Sequence, residues 1–508
     1  MAIHNRLPFT VDGRPVEVPD DGASLLEVLR DRLGIRTAKD GCSPQGQCGC
    51  CTVLVDGSPR VACVTPARRV AGRAITTLDG LADGGGWADT FCATGASQCG
   101  FCTPGIIVRL SALRAKGAAA DDTVALERAL AAHLCRCTGW RTIEEAWRAG
   151  PGDGGPTVRD LDAAAQRASL EGHNRQRVGS EVALGRGGFA DDTAPPGALV
   201  AVPDDTGGWA VGETLTEARA AAGKVQGRRT TVEPRPPLEV PVAPPGGWAL
   251  TLQTTWVEPA YLETDASWCE PGGAPVTPLA NGGAFGGKTT STVTAAARDL
   301  ADRHGRAVRV LLSREDTVRL GPKRPPIAAG IAADGTGIVR VARTPGVASA
   351  IASYAPRLVV EEVDVVGPPT SGELRAVGWG EAAVLLAAVR GVKPARVVAP
   401  NGAVAEADVD LAAGRVAVRV ACGDPLDEVV LRSYCIGAAH MALGWVCSEG
   451  IAVDDAGIAH DLTIRSFGVL RASETPIIDV DIDPAGGPTE PVNGSDAVFA
   501  AVAAAAWL

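Results

Sequence analysis

Residues 40–57 read DGCSPQGQCGCCTVLVDG, a glycine-rich loop with four cysteines that runs directly into an apolar, strand-like segment. A further cysteine follows in the segment RVAC, shortly after the next turn. Plant-type [2Fe-2S] sites take three thiolates from one such loop and the fourth from a neighbouring strand. The sequence therefore predicts a [2Fe-2S] cluster with the ligands Cys42, Cys48, Cys51 and Cys63.

The spacing in this loop departs from the usual pattern by one residue. Five residues separate Cys42 from Cys48, where plant-type sites have four. Gly46 and Gly49 allow the loop to turn tightly and to direct backbone N–H groups towards sulfur. Cys50 is interpreted as a spare thiol beside the ligands.

A second group of cysteines predicts a second [2Fe-2S] cluster. It combines a C-x2-C pair in QCGFCTPG with a C-x-C pair in HLCRCTGW, and its predicted ligands are Cys99, Cys102, Cys135 and Cys137. The two pairs meet only if the helices that carry them pack side by side. A structural four-cysteine zinc site is the alternative for either group, but the C-x-C pair and the glycine loop favour iron. His133 is interpreted as a packed helix residue.

Composition limits the classes of function. Ten of the 14 cysteines precede residue 138, and because no secretion signal is recognised, this indicates metal binding rather than disulfides. The net charge of -11 argues against a nucleic-acid partner. No apolar run approaches the roughly 18 residues that span a bilayer. We expect a cytoplasmic protein without a membrane span.

Local patterns predict a multidomain α+β fold. Residues 8–18 alternate around the Asp12-Gly13 turn as a hairpin does, and a short helix follows Ser24, which together indicate a small β-grasp domain. Apolar spacing predicts helices from about residue 78 to 150. Residues 151–180 show little periodicity and are predicted to be a linker. Beyond them, strand and helix patterns alternate to the end of the chain.

With both cysteine groups in view, the first 150 residues resemble the iron-sulfur part of the molybdenum hydroxylases, the family of xanthine dehydrogenase, aldehyde oxidase and carbon monoxide dehydrogenase. The resemblance implies that electrons run from a molybdopterin site through the inner cluster, held by the second cysteine group, to the outer cluster and then to FAD or another acceptor. It also implies the domain organisation, namely a ferredoxin-type β-grasp domain at 1–76, a helical [2Fe-2S] domain at 77–150, a linker at 151–180, a small α/β hammerhead-like domain at 181–245, and a shortened molybdopterin-binding-like domain at 246–508.

A glycine loop in the second half, NGGAFGGK at residues 281–288, extends the resemblance. It is similar to the loop that embraces the pterin in this family, which implies cofactor binding by Gly282, Gly283, Phe285, Gly286 and Gly287. The same letters satisfy a nucleotide-binding pattern, but the prolines before the loop argue against the strand that a P-loop requires. A tight turn that binds no ligand remains the alternative.

Two further residues are implied to lie near the metal, and here the chain departs from the family. Arg375 in LRAVGWGE stands where the family has an arginine-glycine turn. Ser495 stands where the family has a glutamate that acts as general base, and a serine hydroxyl has too high a pKa for that role. Asp496 is the candidate replacement. The second half is also shorter than in the family.

These observations leave two main hypotheses. The chain is a complete molybdenum hydroxylase with Asp496 or another carboxylate as base, or it is an electron-transfer protein whose second half is catalytically inactive and serves for docking. No FAD-binding segment is recognised, so any flavin is expected on a partner subunit, in a homo- or hetero-oligomer. We expect the partner surface at residues 45–49, beside the outer cluster.

Overall fold

The computed structural model describes residues 6–152, 159–223, 232–277, 283–288 and 291–507. Within these residues, one large buried core runs through both halves of the chain. Two smaller apolar clusters lie beside a sheet of the second half. The predicted multidomain α+β class is confirmed.

The N-terminal domain is a five-stranded sheet packed against a short helix. Its strands are β1 (Arg6–Val11), β2 (Arg14–Pro19), β3 (Thr52–Val55), β4 (Ser58–Val61) and β5 (Ala74–Thr76), in the order β2-β1-β5-β3-β4. The predicted hairpin is present, with Val11 paired to Arg14 across the Asp12-Gly13 turn. Helix α1 (Leu25–Glu27) begins at Ser24, whose side chain accepts a hydrogen bond from the Glu27 backbone, and continues as a π-helical segment.

Four helices follow and form the predicted bundle. They are α2 (Gly84–Thr94), α3 (Thr103–Ala115), α4 (Thr123–Leu130) and α5 (Arg141–Ala149). Trp87 of α2 stacks on Trp147 of α5, with ring centroids 6.3 Å apart. Both indole rings are buried, so their contact stabilises the packing of the first helix of the bundle against the last.

The predicted linker contains a helix that the sequence pattern did not reveal. Helix α6 (Leu161–Gly172) is capped by the Asp160 side chain and is followed by α7 (Ser180–Ala183). Its fully buried Arg167 pairs with Glu171 at 2.9 Å and donates hydrogen bonds to carbonyl groups of the second half. Tertiary contacts thus stabilise a helix that lacks a clear apolar stripe.

The described part of the second half contributes three four-stranded sheets, with the orders β7-β6-β10-β9, β13-β12-β11-β8 and β14-β15-β16-β17. Their strands are β6 (Leu199–Pro203), β7 (Trp209–Gly212), β8 (Leu250–Gln253), β9 (Ala266–Cys269), β10 (Val308–Leu311), β11 (Ile327–Ile331), β12 (Gly337–Ala342), β13 (Leu358–Val363), β14 (Ala395–Val398), β15 (Val404–Asp410), β16 (Arg415–Ala421) and β17 (Ile477–Ile482). The first of these sheets crosses the predicted boundary at residue 245, because β6 pairs in parallel with β10. The described strands of residues 181–245 therefore share a sheet with β9 and β10.

Seven helices complete the described part of the second half. They are α8 (Leu215–Ala221), α9 (Val293–His304), α10 (Arg314–Leu320), α11 (Val347–Tyr354), α12 (Trp379–Arg390), α13 (Glu428–Cys447) and α14 (Ser495–Trp507). Among the described helices, only α13 is long and apolar enough to cross a membrane, and 83% of its apolar window is buried inside the protein. Such burial is typical of a core helix. Helix α13 packs against α14 and against α6.

Candidate iron-sulfur centres and the adjoining pocket

The first four predicted ligands converge at one buried point. The Cys42 side chain interacts with the side chains of Cys48 and Cys63, and the Cys63 side chain also interacts with that of Cys51. All four side chains are buried. Backbone N–H groups also point at sulfur, since Gln47 donates to Cys42 Sγ at 3.4 Å and Cys63 donates to Cys51 Sγ at 3.4 Å. Four thiols with N–H donors to sulfur are the donor set that a [2Fe-2S] cluster requires.

Gly49 shows why this loop needs glycine. Its φ of +74° lies in the left-handed region, and a methyl group at this position would lie 2.4 Å from the imidazole ring of His133. His133 is buried, and its Nε2 lies 3.1 Å from Thr52 Oγ1. Burial lowers the pKa of His133 to about 3, so the ring is neutral and acts as packing for the loop. His133 is packed inside the protein as predicted, but it follows the end of α4 and is therefore not a helix residue.

The second quartet also converges, through the geometry of the bundle. Cys102 precedes the first turn of α3, and Cys135 and Cys137 lie in the connection between α4 and α5. The Cys135 side chain interacts with those of Cys102 and Cys137. Cys137 Sγ lies 3.7 Å from Cys99 Sγ. All four are buried, and this donor set likewise fits a [2Fe-2S] cluster. The C-x-C pair sits in a loop between helices rather than at a helix end.

The two quartets are joined by one backbone hydrogen bond. Leu134 N–H donates to the carbonyl of Cys48 at 3.0 Å. Leu134 directly precedes Cys135, so a ligand of one quartet and a ligand of the other are linked through a single hydrogen bond. Cys50, the spare thiol, is buried beside Cys48, and burial raises its pKa. Because the thiolate is the form that binds metal, the protonated Cys50 thiol does not compete with the four ligands.

The glycine loop of the second half meets the second quartet directly. A methyl group on Gly283 would lie 2.4 Å from Cys137 Sγ, and one on Gly437 of α13 would lie 1.8 Å from the Cys137 carbonyl oxygen. Both glycines are thus required by close packing on this ligand. Gly282, also predicted to bind cofactor, lies outside the described residues.

The rest of this loop packs tightly against the segment that contains Arg375. The Arg375 N–H donates to the Phe285 carbonyl at 3.1 Å, and its guanidinium lies 4.0 Å from the centroid of the Phe285 ring. A methyl group on Gly286 would lie 1.8 Å from the Glu373 carbonyl oxygen. Gly287 packs similarly, with Leu374 3.1 Å from its added methyl position. The described loop therefore packs closely against protein, and its residues Ala284 and Phe285 also line a pocket.

The two predicted catalytic residues lie together and bind each other. Arg375 Nε donates to Asp496 Oδ1 at 3.0 Å, and His173 Nε2 lies 2.9 Å from Asp496 Oδ2. Burial alone would raise the pKa of Asp496, but the positive charges of His173 and Arg375 outweigh it and lower that pKa below its usual value. A carboxylate held this way is a weak base. Ser495 Oγ accepts a further hydrogen bond from Arg375 at 2.9 Å.

The pocket beside these residues is small. Its volume is about 40 Å³, room for a few water molecules, whereas sites for cofactor-sized ligands enclose roughly 300–1,000 Å³. Two ion pairs occupy its walls, Arg136 with Glu449 at 2.8 Å and Arg324 with Glu381 at 2.6 Å. Arginines that could hold cofactor phosphates are thus paired internally. The described side chains do not fit a molybdopterin cofactor at this place.

The prediction of an exposed partner surface at residues 45–49 is wrong for Gln45. Gln45 is buried, and its amide donates to Glu315 and to the Leu462 carbonyl, both at 2.7 Å. Ile464 N–H donates back to Gln45 Oε1 at 3.2 Å. The second half therefore covers this side of the loop. Gln45 lies in the lengthened stretch between Cys42 and Cys48, and that unusual spacing is the one sequence signal that could have pointed to it.

Comparison with known proteins agrees with the two quartets. Residues 9–73 match the model of the 2Fe-2S iron-sulfur cluster binding domain, and residues 77–148 match that of the [2Fe-2S] binding domain. The xanthine dehydrogenase iron-sulfur-binding subunit of Escherichia coli O157:H7 is 42% identical over 141 residues, which are 26% of this chain and 86% of that protein. The chain belongs to the molybdenum hydroxylase family.

Another relative in this family is the nicotinate dehydrogenase small FeS subunit of Eubacterium barkeri, which is 38% identical over 134 residues, 26% of this chain and 84% of that protein. The aldehyde oxidoreductase of Desulfovibrio gigas shares the fold with a TM-score of 0.69 at 14% identity, over 99% of this chain and 97% of that chain. The prediction of two [2Fe-2S] clusters is confirmed, and iron is favoured over zinc. The fold shared with this aldehyde oxidoreductase extends through the second half.

Proposed function

We propose that this chain is a one-electron carrier of the molybdenum hydroxylase family. It passes electrons from a molybdopterin site on a partner to a flavin-binding subunit or other acceptor in the cytoplasm. The observation that carries the proposal is the presence of two complete cysteine quartets joined by the hydrogen bond from Leu134 N–H to the Cys48 carbonyl. When bound, each [2Fe-2S] cluster takes up and releases a single electron.

The protein's own residues keep the two quartets at a fixed separation. The packed pair Gly49 and His133 holds the first loop against the residues that precede Cys135. Burial of all eight ligands excludes water from the sulfurs. A fixed, dry arrangement suits electron transfer, because little has to reorganise when the charge moves.

The second half supports this function as a clamp on both cluster domains. Arg314 of α10 donates to the carbonyl of Gly41, directly before the first ligand, at 2.8 Å. Arg465 donates to the carbonyl of Gln47 at 2.9 Å and to that of Ala131 at 2.8 Å, and so ties the first loop to the end of α4. We infer that these contacts, rather than catalysis, are the role of this half.

An independent hydroxylase is the second candidate, and one observation favours it. The glycine loop reaches Cys137 through Gly283, as the resemblance to a pterin-binding loop implies. Against this candidate stand the pocket of about 40 Å³ and the ion pair that engages Asp496. A hydroxylase would need a larger pocket and an Asp496 carboxylate that is released from its ion pair.

Anaerobic reductive titration tests the proposal. We expect full reduction to take two electrons per chain and to produce two distinct [2Fe-2S] paramagnetic signals. Cys135→Ser should abolish one signal and Cys63→Ser the other. Cys269→Ser, which removes a buried cysteine outside both quartets, is the matched control and should keep both. Uptake of fewer than two electrons by the iron-loaded wild type would contradict the proposal.

A further inference from the structure

The segment that carries Cys63 is strongly basic in an acidic protein. Residues 57–73, GSPRVACVTPARRVAGR, contain four arginines and no acidic residue, although the whole chain has a net charge of -11. Positive charge is therefore concentrated beside one ligand of the outer quartet.

Three of these arginines are exposed, and none of them pairs with a carboxylate within the described residues. Arg73 pairs with Asp56 at 2.7 Å, whereas Arg60, Arg68 and Arg69 take part in no ion pair there. Val64, directly after Cys63, exposes 46% of its surface. We call these four residues, Arg60, Val64, Arg68 and Arg69, the basic edge.

The basic edge lies directly beside a ligand of the outer quartet, because the exposed Val64 follows Cys63. The second half covers neighbouring residues of the ligand loop, where Gln45 binds Glu315 and Arg465 binds the Gln47 carbonyl. Val64 instead contacts the ligand loop itself, since a methyl group on Gly46 would lie 2.9 Å from Val64 Cγ2. Among the described residues, the chain neighbours of the inner ligands Cys99, Cys102, Cys135 and Cys137 are mostly buried.

We propose that the basic edge is the docking surface for an acidic face on the protein that exchanges electrons with the outer cluster. This inference rests on the proposed function. Unpaired exposed positive charges steer and orient an oppositely charged partner, and steering of this kind raises association rates by about 10- to 1,000-fold at low salt. In each encounter the reduced cluster loses one electron and the acceptor gains it. Three arginines on an otherwise acidic chain favour an acidic protein over the polyanionic surface of a nucleic acid.

The test uses stopped-flow oxidation of the fully reduced chain by three acceptors at low and high salt. Ferricyanide is an anionic probe, hexaammineruthenium(III) is a cationic probe, and a flavodoxin in its quinone form serves as an acidic acceptor protein. The variant is Arg60→Ser with Arg68→Ser and Arg69→Ser. A matched control removes three exposed cations of the second half, with Arg235→Ser, Arg390→Ser and Lys393→Ser.

We expect the basic-edge variant to slow ferricyanide and flavodoxin at least about 10-fold at low salt, with the difference shrinking at high salt. Hexaammineruthenium(III) should react no more slowly than with the wild type. Equal rates for the two triple variants would overturn the inference, as would a loss of equal size with both small probes. Both variants must retain their iron and both paramagnetic signals, so failure of the inference is distinguishable from failure of the proposed function.

Discussion

Arg375 and Asp496 form a buried ion pair, with guanidinium Nε 3.0 Å from carboxylate Oδ1 and the two side chains only 2% and 10% exposed. The resemblance to the hydroxylases implied that Arg375 lies near the metal, and Asp496 was the candidate replacement for the family's general base. The geometry instead supports mutual neutralisation, with His173 as a third member. The pair thus fixes the start of α14 against the glycine loop.

Removal of one partner tests this structural role. Asp496→Ala leaves the Arg375 guanidinium buried without its carboxylate, and such changes cost about 3–5 kcal/mol. We expect a clear fall in the denaturant midpoint, and partial recovery when Arg375→Met is added. Asp299→Ala breaks the exposed pair with Arg303 and serves as the control, with almost no change expected. An unchanged midpoint in Asp496→Ala would argue against the structural role.

The same cluster predicts a pH dependence of stability. The negative charge of Asp496 raises the pKa of His173 above the usual 6.5, although burial opposes the shift. A raised folded pKa stabilises the protein fully below pH 6.5, and this stabilisation is lost as pH rises through the folded value. His173→Gln should therefore lower the melting temperature at pH 6 and have much less effect at pH 9. An equal loss at both pH values would show that the histidine does not act through its charge.

Gly49 allows a separate test of the outer quartet. Gly49→Ala places a methyl group against the His133 ring, and we expect loss of the outer cluster, with iron falling from about four to about two atoms per chain. Gly57→Ala is a matched control, because its φ of +73° imposes the same backbone strain with nothing within 4 Å of the added methyl. Equal iron contents in the two variants would remove the packing argument.

Gln45 predicts how the second half protects the outer cluster. Gln45→Ala removes hydrogen bonds between buried groups, a loss of about 1–3 kcal/mol, and should let the loop open about 10-fold more often. We expect the outer cluster to bleach correspondingly faster in air, as measured by the loss of its visible absorbance. Gln253→Ala, which breaks a side-chain bond to the Leu238 carbonyl, is the control and should bleach at the wild-type rate.

The sequence was sufficient to predict two [2Fe-2S] clusters and the two groups of cysteines that the structure brings together, because a cluster needs four thiolates and their spacing is visible in the sequence. It was insufficient for α6, whose stability depends on the buried pair of Arg167 and Glu171 and on carbonyl groups far along the chain. The burial of Gln45 depends in the same way on a loop more than 400 residues away. Distant pairings of this kind leave no local pattern.

The small size of the pocket could not be predicted for a related reason. The family resemblance points to Arg375, Asp496 and the glycine loop, but it does not say whether they face a cofactor or each other. The ion pair of Arg375 with Asp496 answers that question, and it joins positions 121 residues apart.

The ratio of iron to molybdenum per chain tests the central claim most directly. The chain should be purified anaerobically from cells that assemble both cofactors and analysed for iron, molybdenum, zinc and released pterin. We predict about four iron atoms per chain and no stoichiometric molybdenum or pterin. One molybdenum atom with one pterin per chain would contradict the conclusion that the pocket is too small for the cofactor. Zinc in place of iron would contradict the electron-carrier function itself.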